Sequence, residues 1–238
     1  MFNFKPRKKD FQNIKKFISL HLADLITHKN VIPLDVFDVT LFYLEEYLDI
    51  YESIDILMQN DHFRGCLPLA RSLLENSINL QYVYNKDTEQ RAKNFKLAAV
   101  NSMLKRLKDF KGDSPKVNEM KATYENLLKN YKPEHKNLKE KAEEVGSQSL
   151  YKDSYKRLSE FVHSSYKADR NLDAVRPYTT YLKKIVFPDT ILVTLLTLQS
   201  VCEKLDLDGG IMVIDDSAYD GLIVFSTNPK KTKVAASD

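Results

Sequence analysis

Three polar residues, Tyr155, Ser159 and His163, fall at i, i+4 and i+8 of one apolar stretch, which puts them on a single stripe of a helix. Tyr166 follows one turn on, and Arg157 precedes His163 by six positions. A polar stripe on an otherwise apolar helix faces a cleft or an interface, or else holds a buried histidine bonded to Ser159 or a tyrosine. A second pair, Arg71 and Glu75 at i, i+4, sits inside Leu69-Ala70-Arg71-Ser72-Leu73-Leu74-Glu75. Charges among so many apolar neighbours are costly to bury unless partnered, so these two pair with each other or reach a polar group such as His163. If the two stripes meet, they form one site of Arg71, Glu75, Ser159 and His163.

Other chemistries find less support. Glu160-Phe161-Val162-His163 has the Glu-x-x-His spacing of carboxylate-bridged di-iron bundles, but such sites need two copies and two further glutamates, and the chain has one copy. No metal is expected. Six glycines supply no phosphate loop of the GxGxxG or Walker kind, so no nucleotide cofactor is expected either. The remaining histidines read as structural: His21 and His28 share a solvent-flanking face of the first helix, His62 lies near a helix start, and His135 lies in a charged insertion.

The elements that must position these residues are helices. The chain has 238 residues, 43% apolar and 29% charged, with only six glycines and eight prolines, which supports a real core and disfavours a many-stranded β fold. Apolar repeats at three and four predict helices over about 10–27, 34–60, 61–84, 87–112, 114–130, 133–145, 150–170 and 188–207. Asp87 with Gln90 reads as a capping box, Pro68 as a kink or a late helix start, and Gly112 and Gly146 as helix ends. The lysine- and glutamate-rich stretch 113–146 reads as an exposed insertion in a bundle spanning 1–207. Ile211-Met212-Val213-Ile214 and Leu222-Ile223-Val224-Phe225 flank an Asp220-Gly221 turn, so 208–238 reads as a hairpin with a basic tail.

Two cysteines, Cys66 and Cys202, cannot form a disulfide framework, and each reads as a small buried residue in a reducing cytoplasm. No secretory leader or membrane span is expected. Net charge is +3, yet Leu150–Lys184 holds eight cations against four anions, a local excess that attracts phosphates or simply makes a solvated face.

Arg157 and His163 together match R-x(5)-H, which resembles the R-x(4-6)-H signature of HEPN domains, helical bundles found in bacterial toxins, phage-defence proteins and CRISPR-associated ribonucleases. The pairing of Arg71-x-x-x-Glu75 with Leu158-Ser159-x-x-Val162-His163 also resembles an uncharacterised bacterial family over about residues 35–205. The HEPN resemblance implies an all-α multi-helix bundle acting as a metal-independent RNA endonuclease. His163 would be the acid/base group and Arg157 the cation on the scissile phosphate, with Arg71, Glu75, Ser159, Glu160 and Tyr166 supporting or binding substrate. On a regular helix Arg157 and His163 point about 120° apart, so the resemblance also implies convergence across a cleft or a homodimer interface. It further implies an antitoxin or defence-system partner. Leu158 stands where many HEPN motifs carry a polar residue, and Tyr166 follows His163 by three positions, where toxins paired with nucleotidyltransferases have a tyrosine at two. The other reading is a non-catalytic helical binding or sensor module, in which Arg71, Glu75, Ser159 and His163 form a buried polar network or a small-ligand pocket.

Overall fold

A computed structural model describes residues 8–110, 112, 114–131, 136–160, 162, 186–207, 211–215 and 222–226. Six helices lead the chain: α1 (Lys8–Thr27), α2 (Leu34–Gln59), α3 (Phe63–Asn85), α4 (Thr88–Asp109), α5 (Pro115–Leu128) and α6 (Leu138–Glu144). A π-helical turn at Leu150–Tyr155 runs into α-helical backbone over 156–160, and α7 (Phe187–Lys204) follows. Two short antiparallel strands, β1 (Ile211–Asp215) and β2 (Leu222–Ser226), pair with Val213 opposite Val224, and β2 runs beside α1. The architecture is an all-α bundle with this terminal hairpin.

Helix α3 is the hub, touching α2, α4, α6, the π turn and α7. Its apolar stripe (Cys66, Leu67, Ala70, Leu73, Leu74, Ile78) is fully buried, and Pro68 sits inside the helix without setting its start. Helix α2 faces it with Tyr43, Tyr47 and Tyr51, one per turn and each buried. Large aromatic bodies fill the core only if their hydroxyls find partners. Tyr47 meets Ser77 Oγ at 2.6 Å, Tyr51 meets Thr194 Oγ1 at 2.6 Å, and Tyr84 meets Thr40. Burial holds all three phenols above their ordinary range, so they are neutral hydrogen-bonding pins between α2, α3 and α7.

Several local expectations fail for identifiable reasons. Asp87 does precede α4, but in the left-handed conformation (φ 47°) and with no side-chain bond to the first-turn amides, and Gln90 bonds Asn94 instead. The capping box is on α6, where Asn137 and Glu140 bond each other's backbone amides. Helix α4 ends at Asp109, before Gly112, whereas Gly146 takes the positive φ (73°) of a helix-ending glycine. His21 is buried, not solvent-flanking: its Nδ1 lies 3.0 Å from Phe17 O and its ring packs on Phe17 at 4.3 Å. Of the expected insertion, α5 has no buried residue, but α6 docks on α3 through buried Ala142.

The stretch after Gly146 is held to α3 before its functional residues begin. Ser147 Oγ donates to Gln81 Oε1 at 2.5 Å, and the Lys156 N–H reaches Tyr151 O, five residues back, as a π turn requires. Leu158, 0% exposed, then drives this segment into the core. Leu158→Ala removes a fully buried side chain at the anchor point and is expected to cost about 2–5 kcal/mol. Urea unfolding measures it; a loss under about 1 kcal/mol would mean the segment is not anchored there.

Candidate functional site

Helix α3 presents Arg71 and Glu75 one turn apart, both half-buried, on a side that its apolar stripe leaves open. The segment after the π turn supplies the facing groups. Arg71 Nε donates to Ser159 Oγ at 2.8 Å, and Arg71 Nη2 donates to Tyr155 OH at 2.9 Å, with the guanidinium carbon 5.1 Å from the Tyr155 ring centre. The Tyr155 hydroxyl in turn donates to Glu75 Oε2, a long contact at 3.4 Å. The two polar stripes seen in the sequence therefore meet: Arg71, Glu75, Tyr155 and Ser159 form one network between α3 and the 150–160 segment.

The electrostatics follow from the partner types. Among the described residues Arg71 makes no ion pair within 4.0 Å; its two hydrogen bonds go to neutral hydroxyls. Two of the five N–H groups of a guanidinium are thereby engaged, and its charge is oriented with no direct ion pair, Glu75 being reached through the shared Tyr155 hydroxyl. Such a half-buried arginine is suited to a carboxylate or phosphate supplied from outside. On the far side of the pair, burial first, then Tyr47 and the Glu75 charge, hold the Tyr43 phenol well above its ordinary range. Glu75 thus lies between the α2 tyrosine row and Tyr155.

The remaining candidates are distributed differently. Arg157 is half-buried and engaged, and as a neighbour two positions from both Tyr155 and Ser159 it points about 200° away from them around a regular helix. Glu160 is exposed. His163 and Tyr166 lie outside the described residues, as does His135. Tyr155 proves to be the residue that joins Arg71 to Glu75, a role that its place on the stripe with Ser159 already signalled. Tyr151, which sequence reasoning passed over, stacks on Tyr155 at 5.3 Å and 21° between ring planes. Two tyrosines four apart were the available sign, but their stacking depends on the π turn.

Other chemistries are not assembled in the described part of the chain. No three His, Cys, Asp or Glu side chains are grouped to hold a metal ion, and no described helix is long and apolar enough to cross a membrane. Both cysteines are free and buried; burial pushes the Cys66 thiol up to about 11 and that of Cys202 higher still, so neither is a nucleophile at neutral pH.

Neither the curated proteins nor the solved structures offer a match to this chain. A family model does match, over residues 37–174, more than half of the sequence. The matched region runs from α2 through the Arg71–Tyr155–Ser159 network and includes Arg157, His163 and Tyr166, while α1, α7 and the hairpin lie outside it. By that match the chain belongs to the family of unknown function DUF5677.

Proposed function

We propose that this protein is an HEPN-like, metal-independent RNA endonuclease whose site is assembled around the Arg71 network. The observation that carries this reading is the state of Arg71: a half-buried cation, aimed by two neutral hydroxyls and by no carboxylate among the described residues. His163 stands four positions after Ser159 in the sequence, the next place on the same stripe. Histidine is the side chain whose ordinary pKa suits proton transfer near neutral pH.

In this mechanism His163 takes the proton from an RNA 2′-hydroxyl, whose oxygen attacks the adjacent phosphorus. The P–O5′ bond breaks, leaving a 2′,3′-cyclic phosphate on one product and, on the other, a 5′-oxygen that takes its proton from water to become a hydroxyl. Arg157 and Arg71 stabilise the charge that builds on the non-bridging oxygens. Because Arg157 points away from the Arg71 stripe, a homodimer that brings two copies of the segment together is part of the proposal. The setting would be cytoplasmic, in phage defence or with an antitoxin partner.

The test is incubation of total RNA and tRNA in EDTA with the wild type and with His163→Ala, with thermal melting of both. The wild type is expected to cleave, and the variant to lose on the order of 10²–10⁴-fold in rate at unchanged melting temperature, as loss of an acid/base group does. No cleavage by the wild type at any protein concentration, with His163→Ala lowering stability, would replace the enzyme by a non-catalytic sensor module.

A further inference from the structure

A second cationic site lies further along α3. Between α3, α4 and α6 is a cavity of about 70 Å³ lined by Asn79, Tyr82, Asn94, Arg91, Tyr131 and Lys141 together with apolar residues. Asn79 is eight residues beyond Arg71, roughly 12 Å along the helix at 1.5 Å per residue.

The orientation of the polar groups is fixed by their other partners. Asn79 Oδ1 accepts from Lys141 Nζ at 2.8 Å, and Asn94 Oδ1 accepts from Gln90 Nε2 at 2.9 Å. With both carbonyl oxygens committed, each amide has its NH₂ donors left to offer. Arg91, only 7% exposed, has its guanidinium carbon 3.9 Å from the Tyr82 ring centre and donates to Tyr82 O and Glu144. Lys136 and Lys141 also stand over that ring, at 5.3 and 5.5 Å. Glu144 is the carboxylate of this cluster, held by Arg91, Lys86 and Lys136, and it does not line the cavity. Three cations, Lys86, Arg91 and Lys136, thus hold one carboxylate, Lys141 bonds Asn79 instead, and no described lining residue is acidic.

We propose that this cavity binds one tetrahedral oxyanion, a phosphate group. Its volume of about 70 Å³ is several times the roughly 10–15 Å³ that a single water needs, which leaves room for a compact group of several heavy atoms. Donors arrive from three helices, more directions than the two oxygens of a planar carboxylate can use. Charge-assisted bonds from Arg91 and Lys141 would supply most of the affinity, and the two amides the shape selection.

Asn94→Asp tests it with little disturbance. The variant keeps the acceptor for Gln90 and the side-chain shape but replaces a donor by a negative charge at the cavity wall. Titration calorimetry with orthophosphate and with AMP, and melting in potassium phosphate against potassium chloride at matched ionic strength, are the readouts. The wild type is expected to bind and to melt higher in phosphate, and Asn94→Asp to bind at least tenfold more weakly while melting normally in chloride. Asn79→Asp, which retains the acceptor for Lys141, is the second variant should the first fold poorly. Tighter binding of AMP than of orthophosphate would identify a nucleotide as the source of the phosphate, and equal binding the free anion. Absence of binding by the wild type, or undiminished binding by both variants, overturns the proposal. Because RNA cleavage through His163 is assayed separately, failure here leaves that reading untouched.

Discussion

Arg71→Lys is expected to lower RNA cleavage on the order of 10²-fold, the effect of losing one oriented donor to a developing oxyanion, while shifting stability by no more than about 1.5 kcal/mol. Lysine keeps the positive charge, so an effect of charge alone would leave the rate nearly unchanged. What lysine lacks is the planar fork. Arg71 uses Nε for Ser159 and Nη2 for Tyr155 simultaneously, which fixes the direction of its remaining donors. A single ammonium can satisfy one hydroxyl or the other but cannot hold the same orientation. The loss should therefore appear mainly in kcat, with KM changed little because the cation still attracts the backbone. Ser159→Ala removes one of the two tethers and should show a smaller loss of the same kind. If Arg71→Lys cleaves like the wild type and only the melting temperature falls, Arg71 is a structural tie between α3 and the 150–160 segment.

The meeting of Arg71 and Glu75 with Tyr155 and Ser159 was legible because both pairs use the same spacing. Residues four apart share a helix face whatever the helix packs against, and an ionic pair inside an apolar run must find polar company. Helix positions were legible for a similar reason, since the apolar stripes of α2, α3 and α7 repeat at three and four. What could not be read depends on backbone choices or partners set in three dimensions. Asp87 has a capping side chain, but its backbone is left-handed and the side chain makes no cap bond. The π turn at Leu150–Tyr155 adds a residue that no periodicity announces, and with it come the stacking of Tyr151 on Tyr155 and the entry angle of Ser159. His21 carries the polarity of a surface residue and is buried because Phe17 offers both a ring and a carbonyl. Glu144 belongs to a lysine- and glutamate-rich stretch that reads as solvated, and only the fold shows that it is the counter-charge of Arg91.

Glu144→Ala is accordingly expected to cost about 3 kcal/mol at pH 7, an unusually large loss for a residue in a charged surface helix. Removing one partner of a buried pair leaves the other charge uncompensated, at a typical cost of about 3–5 kcal/mol. Arg91 is only 7% exposed and would keep its charge against Tyr82 with Lys136 and Lys86 still close by. Lys86 and Lys136 are themselves well exposed, so their own bonds to Glu144 contribute little beyond this. The pH dependence separates charge from packing. Lys136, then Arg91 and Lys86, hold the Glu144 carboxyl down from its ordinary 4.5 to about 2. Because the folded value lies below the unfolded one, the stabilisation is complete above about pH 4.5, declines as the pH falls, and is gone below about pH 2. The difference between wild type and Glu144→Ala in urea unfolding should therefore be constant from pH 7 to about 5 and shrink steadily between 4.5 and 3. Glu144→Gln, which keeps the volume, should lose nearly as much at pH 7. A loss of equal size at every pH, or a stable Glu144→Gln protein, would place the role of this residue in packing α6 against α3 rather than in its charge.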